Sequence, residues 1–402
     1  MKPQAYDPDW AFHTALRSQA ARWQRQQLLD AAQLAAVEAA YPLDYYRPVW
    51  PLRVGLFLFT WLGLAMAGGL AFLLTDYSPF AGGLLYAATC FGVLHLVIKE
   101  RRFYHCGADN ALLYAGLGTV GSLIFYIFSE FVWESHYYSH FSLANGYFAV
   151  PLLLVLLLLV AAAFRYADAL VTAAAFATLL QLVTLAGMQS AWGQALLPFL
   201  IMGTAVGVLA LYRTLALRLA GTSLADYYAS CLLMLKVLAL AVLYLGGNYL
   251  VVREGNAELR HASVSEQIPF ALIFYILTAS IPILYITLGL RRADRPLLLM
   301  GLLTLAFSLF TLRYYRSVLP PEIAAVAAGT FLTVAAGALL RALRPAHFGF
   351  TSLPDDEPRY FNLENLIQAQ TAYTPTPGGA PATGGFEFGG GQSGGGGATG
   401  QF

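Results

Sequence analysis

The sequence is poor in charge and in cysteine, and both shortages restrict what the protein can be. Of its 402 residues only 11% are Asp, Glu, Lys or Arg, whereas soluble domains carry about 25%. Its 23 basic and 22 acidic side chains nearly cancel, so the composition provides no basic field to hold nucleic acid. Its three cysteines form no CxxC pair, which excludes a disulfide framework and a zinc ribbon.

Sequence motifs for catalysis are also missing. The chain contains no phosphate-binding GxxxxGK loop, no GxGxxG turn before a helix, no GxSxG elbow, no kinase signature and no HExxH. The longest segments outside its apolar runs, residues 1–52 and 343–402, are too short to enclose a catalytic core of ordinary size. We therefore expect no enzymatic activity and no bound cofactor.

Long apolar runs are what the chain has in abundance. Hydrophobic residues make up 58% of it, and a bilayer core about 30 Å thick needs about 20 apolar residues in a helix. The runs are continuous rather than alternating, which favours helices over the strands of a membrane barrel. The sequence predicts an all-α polytopic transmembrane bundle over residues 49–342. Its ten predicted spans are 53–75, 79–98, 110–130, 146–164, 168–188, 195–216, 228–252, 268–290, 296–314 and 322–342.

The basic residues indicate which way the spans run. Cytoplasmic loops of membrane proteins are enriched in Lys and Arg. If the N-terminus is cytoplasmic, most of the 23 basic residues fall on the inner side, and Arg253, Arg260, Arg313 and Arg316 fall outside. Ten spans then place both termini in the cytoplasm and leave Lys236 within the seventh span.

Residues 1–48 predict a cytoplasmic helical hairpin and linker. Asp30 is the expected N-cap of the second helix, and Gln33 completes a capping box. The motif Trp23, Leu28, Leu29, Asp30 and Gln33, followed by a basic linker and many spans, resembles the DUF2157-type predicted bacterial membrane proteins. The resemblance implies a multi-pass protein of a bacterial inner membrane with no established activity.

Residues 343–402 predict a cytoplasmic tail that is disordered from about residue 374. Its Gly-rich and Pro-rich end cannot bury enough surface to offset its ordering entropy. Phe386, Phe388 and Phe402 interrupt the glycines, and the tail is similar to the Gly-rich aromatic tails of bacterial TPM-domain membrane proteins. Either it is a featureless linker, or it is a short aromatic tag that binds a cytoplasmic or membrane protein partner.

Three polar residues lie within predicted spans and are candidate functional residues. Ionisable groups inside a membrane are functional candidates by default, and Lys236 is the clear case. Its ammonium either snorkels or hydrogen-bonds within the bundle, or it contacts a substrate or anion. Gln181 and Asn248 are neutral, and we expect interhelical hydrogen bonds from both.

One constellation outside the spans has the spacing of a metal site. His136 and His140 share a face if the segment after the third span is helical, which is a usable geometry for Zn²⁺. Glu134 or His261 supplies a third ligand in this interpretation. The alternative is a solvated loop with chance histidines.

Three functions remain open on this sequence. The first is a non-enzymatic membrane scaffold that presents its hairpin and tail to partners. The second is a small-molecule transporter of five plus five inverted repeats, although the spans carry no mid-membrane carboxylate of the kind that ion-coupled carriers use. The third is a metal-dependent membrane enzyme built on His136 and His140.

The small-residue motif Gly203-x3-Gly207 predicts a close helix contact inside the bundle.

Overall fold

The computed structural model describes residues 4–131, 146–259, 267–292 and 294–315, together with isolated helical positions between residues 326 and 341. In this part of the chain the protein is all-α, as predicted, and contains no strand. A short 3₁₀ turn, Gly146–Phe148, precedes the sixth helix. The helices are Pro8–Arg25 (α1), Ala31–Ala40 (α2), Trp50–Leu74 (α3), Pro79–Arg101 (α4), Ala108–Phe131 (α5), Ala149–Tyr166 (α6), Ala169–Met188 (α7), Ala191–Leu219 (α8), Ser223–Tyr227 (α9), Ala229–Gly247 (α10), Tyr249–Leu259 (α11), Ala271–Arg292 (α12) and Arg295–Tyr315 (α13).

Nine of the described helices are long and apolar enough to cross a membrane, namely α3 to α8, α10, α12 and α13. At most 33% of the apolar window of each is buried inside the bundle. The remaining Leu, Phe and Ile side chains therefore face outward, where lipid is the solvent that accepts them. The protein is a multi-pass membrane protein, and a long apolar helix is present at each of the first nine predicted spans, although the seventh ends earlier than predicted. The tenth, 322–342, lies largely outside the described residues and stays a prediction.

The long helices pack mainly on their neighbours in sequence. Helices α3, α4 and α5 contact one another, α6 and α7 follow, and α8 and α10 pack together with α7. The α12–α13 pair closes the series against α10. Because successive spans alternate in direction, the starts of α3, α5, α7, α10 and α13 lie at one end of the bundle. We call this end the N-terminal face and the other end the far face.

The two short N-terminal helices form the hairpin that the sequence predicts. Asp30 accepts a hydrogen bond from the backbone N of Gln33 at 2.6 Å, and the Gln33 side chain accepts one from the Asp30 backbone at 3.0 Å. This capping box begins α2. An ion pair between Arg17 and Glu38 at 3.1 Å joins α2 to α1.

The seventh predicted span, 228–252, is wrong at its end. Helix α10 ends at Gly247, Asn248 is extended with φ −83° and ψ 125°, and α11 begins at Tyr249. Two consecutive glycines weaken the helix there, and Asn248 caps a new one. The apolar residues after Asn248 concealed this break in the sequence.

The predicted close contact at Gly203 and Gly207 is also wrong for the described part of the chain. A Cβ atom added at either position would meet no atom of the described residues within 4 Å. Close helix approach occurs instead between α12 and α13, where a Cβ at Gly289 would lie 2.8 Å from the backbone N of Leu298. A turn of only a few residues joins these two helices and holds their backbones together near Gly289.

Candidate functional site

The break between α10 and α11 places a buried amide side chain where three spans meet. Asn248 is fully buried, and its Oδ1 accepts a hydrogen bond from the backbone N of Val251 at 3.2 Å. Its Nδ2 donates to the hydroxyl of Tyr244 at 2.8 Å and to Oγ1 of Thr311 at 3.0 Å. Asn248 therefore begins α11 and at the same time links it to α13.

Hydroxyl groups extend this contact to α12. The backbone N of Tyr249 donates to Oγ1 of Thr278 at 2.9 Å, and the hydroxyls of Tyr244 and Ser308 lie 2.7 Å apart. Thr278, Ser308 and Thr311 are each at most 4% exposed. Hydrogen bonds between side chains of different spans hold a membrane bundle together, so this cluster fixes the geometry of α10, α11, α12 and α13.

Pro282 explains why Ser308 belongs to the cluster. Proline has no backbone N–H, so the carbonyl of Thr278, four residues earlier in α12, loses its helical partner. The hydroxyl of Ser308 donates to that carbonyl at 2.7 Å. A freed carbonyl inside a membrane must find a partner of this kind. Both Pro282 and Ser308 are visible in the sequence, but only the fold pairs them.

A cavity of about 180 Å³ opens beside this cluster, and we call it the polar cavity. The aromatic rings of Tyr249 and Tyr275 stack along one wall, with centroids 4.2 Å apart and an interplanar angle of 22°. The guanidinium of Arg253 contributes a charge and donates to the Tyr249 hydroxyl at 3.4 Å. Its lining residues are Tyr249, Arg253, Tyr275, Thr278, Ala279, Ser308, Thr311 and Leu312.

Lys236, the main intramembrane candidate from the sequence, does not reach the polar cavity. Its ammonium forms an ion pair with Asp294, which lies between α12 and α13. The same ammonium lies 5.5 Å from the ring centroid of Tyr212 on α8. Asp294 also caps α13 by accepting from the backbone N of Leu297 at 3.2 Å. The structure thus places Lys236 in a bundle ion pair near the N-terminal face.

The other predicted site residues fall outside these two arrangements. Gln181 is partly buried on α7 and belongs to neither of them. The proposed metal ligands Glu134, His136, His140 and His261 and the aromatic tail residues Phe386, Phe388 and Phe402 lie outside the described residues. The zinc and partner hypotheses therefore stay predictions. Within the described residues no group of three His, Cys, Asp or Glu side chains is arranged to hold a metal ion.

A second buried network lies at the N-terminal face. Asp109 is fully buried at the start of α5, and its carboxylate accepts from the Tyr6 hydroxyl at 2.8 Å and from the backbone N atoms of Cys106 and Gly107 at 2.9 and 3.1 Å. Gly107 has φ +102°, and a Cβ there would lie 2.1 Å from the backbone O of Arg53. Only glycine fits that position.

Asp168 forms the other half of this network at the start of α7. Its Oδ2 accepts from Nδ2 of Asn110 at 2.7 Å and from the hydroxyl of Tyr114 at 2.9 Å. Its Oδ1 caps α7 by accepting from the backbone N of Val171 at 2.9 Å. The sequence placed both Asp109 and Asp168 at helix ends, but it gave no sign that these carboxylates are buried or that each accepts from a tyrosine hydroxyl.

Burial raises the pKa of several groups in and beside this network. It raises the pKa of Tyr6 well above the usual value, and the neighbouring Asp109 raises it further. It raises the pKa of Tyr104 to about 12 and that of Cys106 to about 12. Cys106 is thus a protonated thiol and a poor nucleophile. Tyr6 and Tyr104 remain neutral, so Tyr6 can donate its hydrogen bond. The network therefore holds the segment before α1 on the bundle.

The polar cavity is the better candidate for a functional site. It combines a charge, hydroxyl groups and open volume, whereas the carboxylates of the N-terminal network already accept hydrogen bonds from donors of the protein itself. No protein-family model, curated protein or solved structure matches the chain, so the geometry of its own residues carries the functional argument.

Proposed function

We propose that the protein is a membrane carrier that binds a small polar solute in the polar cavity. One observation supports the proposal above all. Arg253 and the hydroxyl-bearing Thr278, Ser308 and Thr311 line the same cavity of about 180 Å³, beside the break between α10 and α11. Polar groups are costly inside a membrane and mark solute pathways. Broken helices in carriers expose backbone and side-chain groups at the binding site.

The position of Lys236 supports this proposal. It lies on α10 about 18 Å along the helix from Asn248, at the rise of 1.5 Å per residue. The ion pair of Lys236 with Asp294 ties α10 to the α12–α13 turn near the N-terminal face, while the polar cavity lies toward the far face. Helices α10, α12 and α13 thus carry the cavity toward one face and, toward the other, an ion pair that can break. Alternating access requires a binding site and a contact that opens and closes. Because the spans carry no mid-membrane carboxylate, we propose facilitated transport.

A cavity-filling variant tests the proposal. Ala279 lines the polar cavity on α12, so Ala279→Leu fills it without removing a hydrogen-bonding group. Ser280→Leu is the matched control, because Ser280 is exposed on the same helix and does not line the cavity. Both proteins and the wild type are reconstituted in nanodiscs and heated with a panel of small carboxylates, amino acids, polyols and amines.

We expect at least one solute class to raise the melting temperature of the wild type and of Ser280→Leu but not of Ala279→Leu. A ligand at a hundredfold excess over its Kd stabilises the folded state by about 2.7 kcal/mol. The same solute is then expected to enter proteoliposomes that contain the wild type. A panel without any stabilising solute, or equal stabilisation of Ala279→Leu, contradicts the proposal.

A scaffold function through the C-terminal tail is a second proposal, and a specific sequence feature favours it. Phe386, Phe388 and Phe402 are spaced among glycines that need no aromatic residues to act as a linker. A few large side chains, aromatic ones prominent among them, carry most of the binding energy at protein interfaces. Binding through the tail and solute binding in the bundle use different parts of the chain, so neither excludes the other.

A further inference from the structure

Among the described residues that line the polar cavity, one is cationic and none is anionic. Arg253 lines it, and none of its lining residues in the described part of the chain is acidic. Glu254, the next residue on α11, does not line it. A guanidinium carries five N–H donors in a planar fork and binds a carboxylate through two of them. Arg253 is therefore suited to bind an anionic group of the solute.

The serine and threonine hydroxyls of the cavity already donate to the backbone of the protein. The Thr278 hydroxyl donates to the backbone O of Phe274 at 2.7 Å. The hydroxyl of Ser308 donates to the backbone O of Thr278 at 2.7 Å, and that of Thr311 to the backbone O of Phe307 at 3.0 Å. A hydroxyl oxygen whose proton is used in this way can only accept further hydrogen bonds. These three side chains are therefore suited to a donor group of the solute.

The volume of the polar cavity limits the length of the solute. It holds about 180 Å³, which equals about six water molecules at about 30 Å³ each. The stacked rings of Tyr249 and Tyr275 add an aromatic surface to the lining of the cavity. A short carbon chain with a polar group at each end fits this arrangement.

We infer that the solute is a short carboxylate that also carries a hydrogen-bond donor, that is, a small hydroxy acid or amino acid. Arg253 binds the carboxylate, and the lone pairs of Thr278, Ser308 and Thr311 accept from the hydroxyl or amine. This inference rests on the proposed carrier function, because it names the solute class of the same cavity.

Three matched probes test the inference on the wild-type protein in nanodiscs. Lactate has both the carboxylate and the hydroxyl, propionate lacks the hydroxyl, and lactamide lacks the charge. We expect calorimetry to show that propionate and lactamide bind at least about tenfold more weakly than lactate, since each lacks one of the two groups that the cavity is inferred to recognise. Alanine, which replaces the hydroxyl with an amine, is expected to bind within about tenfold of lactate.

A pair of variants then locates the charge recognition. Arg253→Gln is expected to weaken lactate binding at least about tenfold while lactamide binding stays unchanged. Glu254→Gln is the matched control, because it changes a charge at the adjacent position without altering the cavity lining. If Arg253→Gln does not fold, the comparison of the three probes on the wild type decides the question alone.

The possible failures are distinguishable from one another. If lactamide or an amine binds as tightly as lactate and Ala279→Leu abolishes that binding, the inference is overturned and the carrier proposal stands. If neither the matched probes nor the wider panel bind, both are overturned. Lactate binding that is unchanged in Arg253→Gln also overturns the inference, because the carboxylate would then lie elsewhere.

Discussion

The hydroxyl of Tyr6 donates to Oδ2 of Asp109 at 2.8 Å, across 103 residues of sequence. Next to this bond, the backbone N of Ala5 donates to the backbone O of Arg165 at 2.7 Å. These two contacts attach the segment before α1 to the start of α5 and to the end of α6. The N-terminal hairpin is therefore docked on the bundle at its base.

Removing the Tyr6 hydroxyl tests this attachment. Tyr6→Phe keeps the ring contact with Tyr104, whose centroid lies 5.3 Å away, but it leaves the buried Asp109 carboxylate with one donor fewer. We expect the opening free energy of α1 to fall by about 1 to 3 kcal/mol, measured by hydrogen–deuterium exchange. Tyr41→Phe is the matched control, because the Tyr41 ring contacts Phe12 and His13 without joining the network. Equal exchange in both variants contradicts the anchoring role.

The attachment of the N-terminal segment to the bundle should weaken in acid because of His105. Its ring lies 4.9 Å from the rings of both Tyr6 and Tyr104, and burial lowers its pKa below the ordinary value of 6.5. The charged groups that act on it are Asp109 and Asp168, which raise its pKa, and Arg47 and Arg53, which lower it. The net direction is downward, so the docked state prefers neutral His105.

The sign of the pH effect follows from this preference. Well above pH 6.5 the His105 ring is neutral whether α1 is docked or released, so pH has no effect through it. Below pH 6.5 the released state takes up the proton first, and docking weakens until the lower pKa of the docked state is reached. We expect amide exchange of α1 to rise as the pH falls below 6.5, and His105→Gln to abolish that rise. His95→Gln, at an exposed position on α4, should retain it.

The ion pair between Lys236 and Asp294 gives a third prediction. Both side chains are mostly buried, with 13% and 21% of their surfaces exposed, so removing one partner strands a charge in a medium of low dielectric constant. Lys236→Met and Asp294→Asn should each destabilise the bundle, and the double variant should be more stable than the sum of the two losses predicts. We expect a coupling energy of about 1 to 3 kcal/mol in a double-mutant cycle of thermal or denaturant unfolding.

Asparagine at position 294 removes the charge but preserves the helix cap, so the double-mutant cycle reports on the ion pair. Asp294 also caps α13, and asparagine is as good an N-cap as aspartate. Arg291→Gln removes a nearby exposed charge on α12 and is the control. Strictly additive single effects would mean that the ion pair does not join α10 to the α12–α13 turn.

The spans could be predicted from the sequence, whereas the polar cavity could not. Apolar length is a local property, and it located nine spans within a few residues. Asn248 was recognisable as a polar residue inside a span. Thr278, Ser308 and Thr311 were not, because hydroxyl residues are common in membrane helices and follow no pattern. Their partners lie about 30 to 60 residues away in the chain, and only the packing of α10, α12 and α13 brings them together.

The basic residues predict that the N-terminal face is cytoplasmic, and cysteine labelling can test this orientation. The three native cysteines are buried, so a maleimide should react mainly with an introduced cysteine. Ser18 is exposed on α1, and Gln189 is exposed in the turn between α7 and α8 at the far face. A membrane-impermeant maleimide added to intact cells should label Gln189→Cys but not Ser18→Cys. Labelling of Ser18→Cys alone would invert the predicted orientation.

The aromatic residues of the tail give the last prediction, which separates a partner-binding tag from a linker. Deleting residues 384–402 shortens the tail and removes its aromatic side chains together, so it cannot tell these causes apart. A triple substitution of Phe386, Phe388 and Phe402 by Ala keeps the length and the glycines, and it removes only the groups that a partner would bury. If the tail is a tag, both changes should abolish co-purification of the same partner while the melting temperature of the bundle stays unchanged. If the triple variant keeps that partner and the deletion loses it, the tail contributes reach rather than recognition, and the scaffold proposal loses its support.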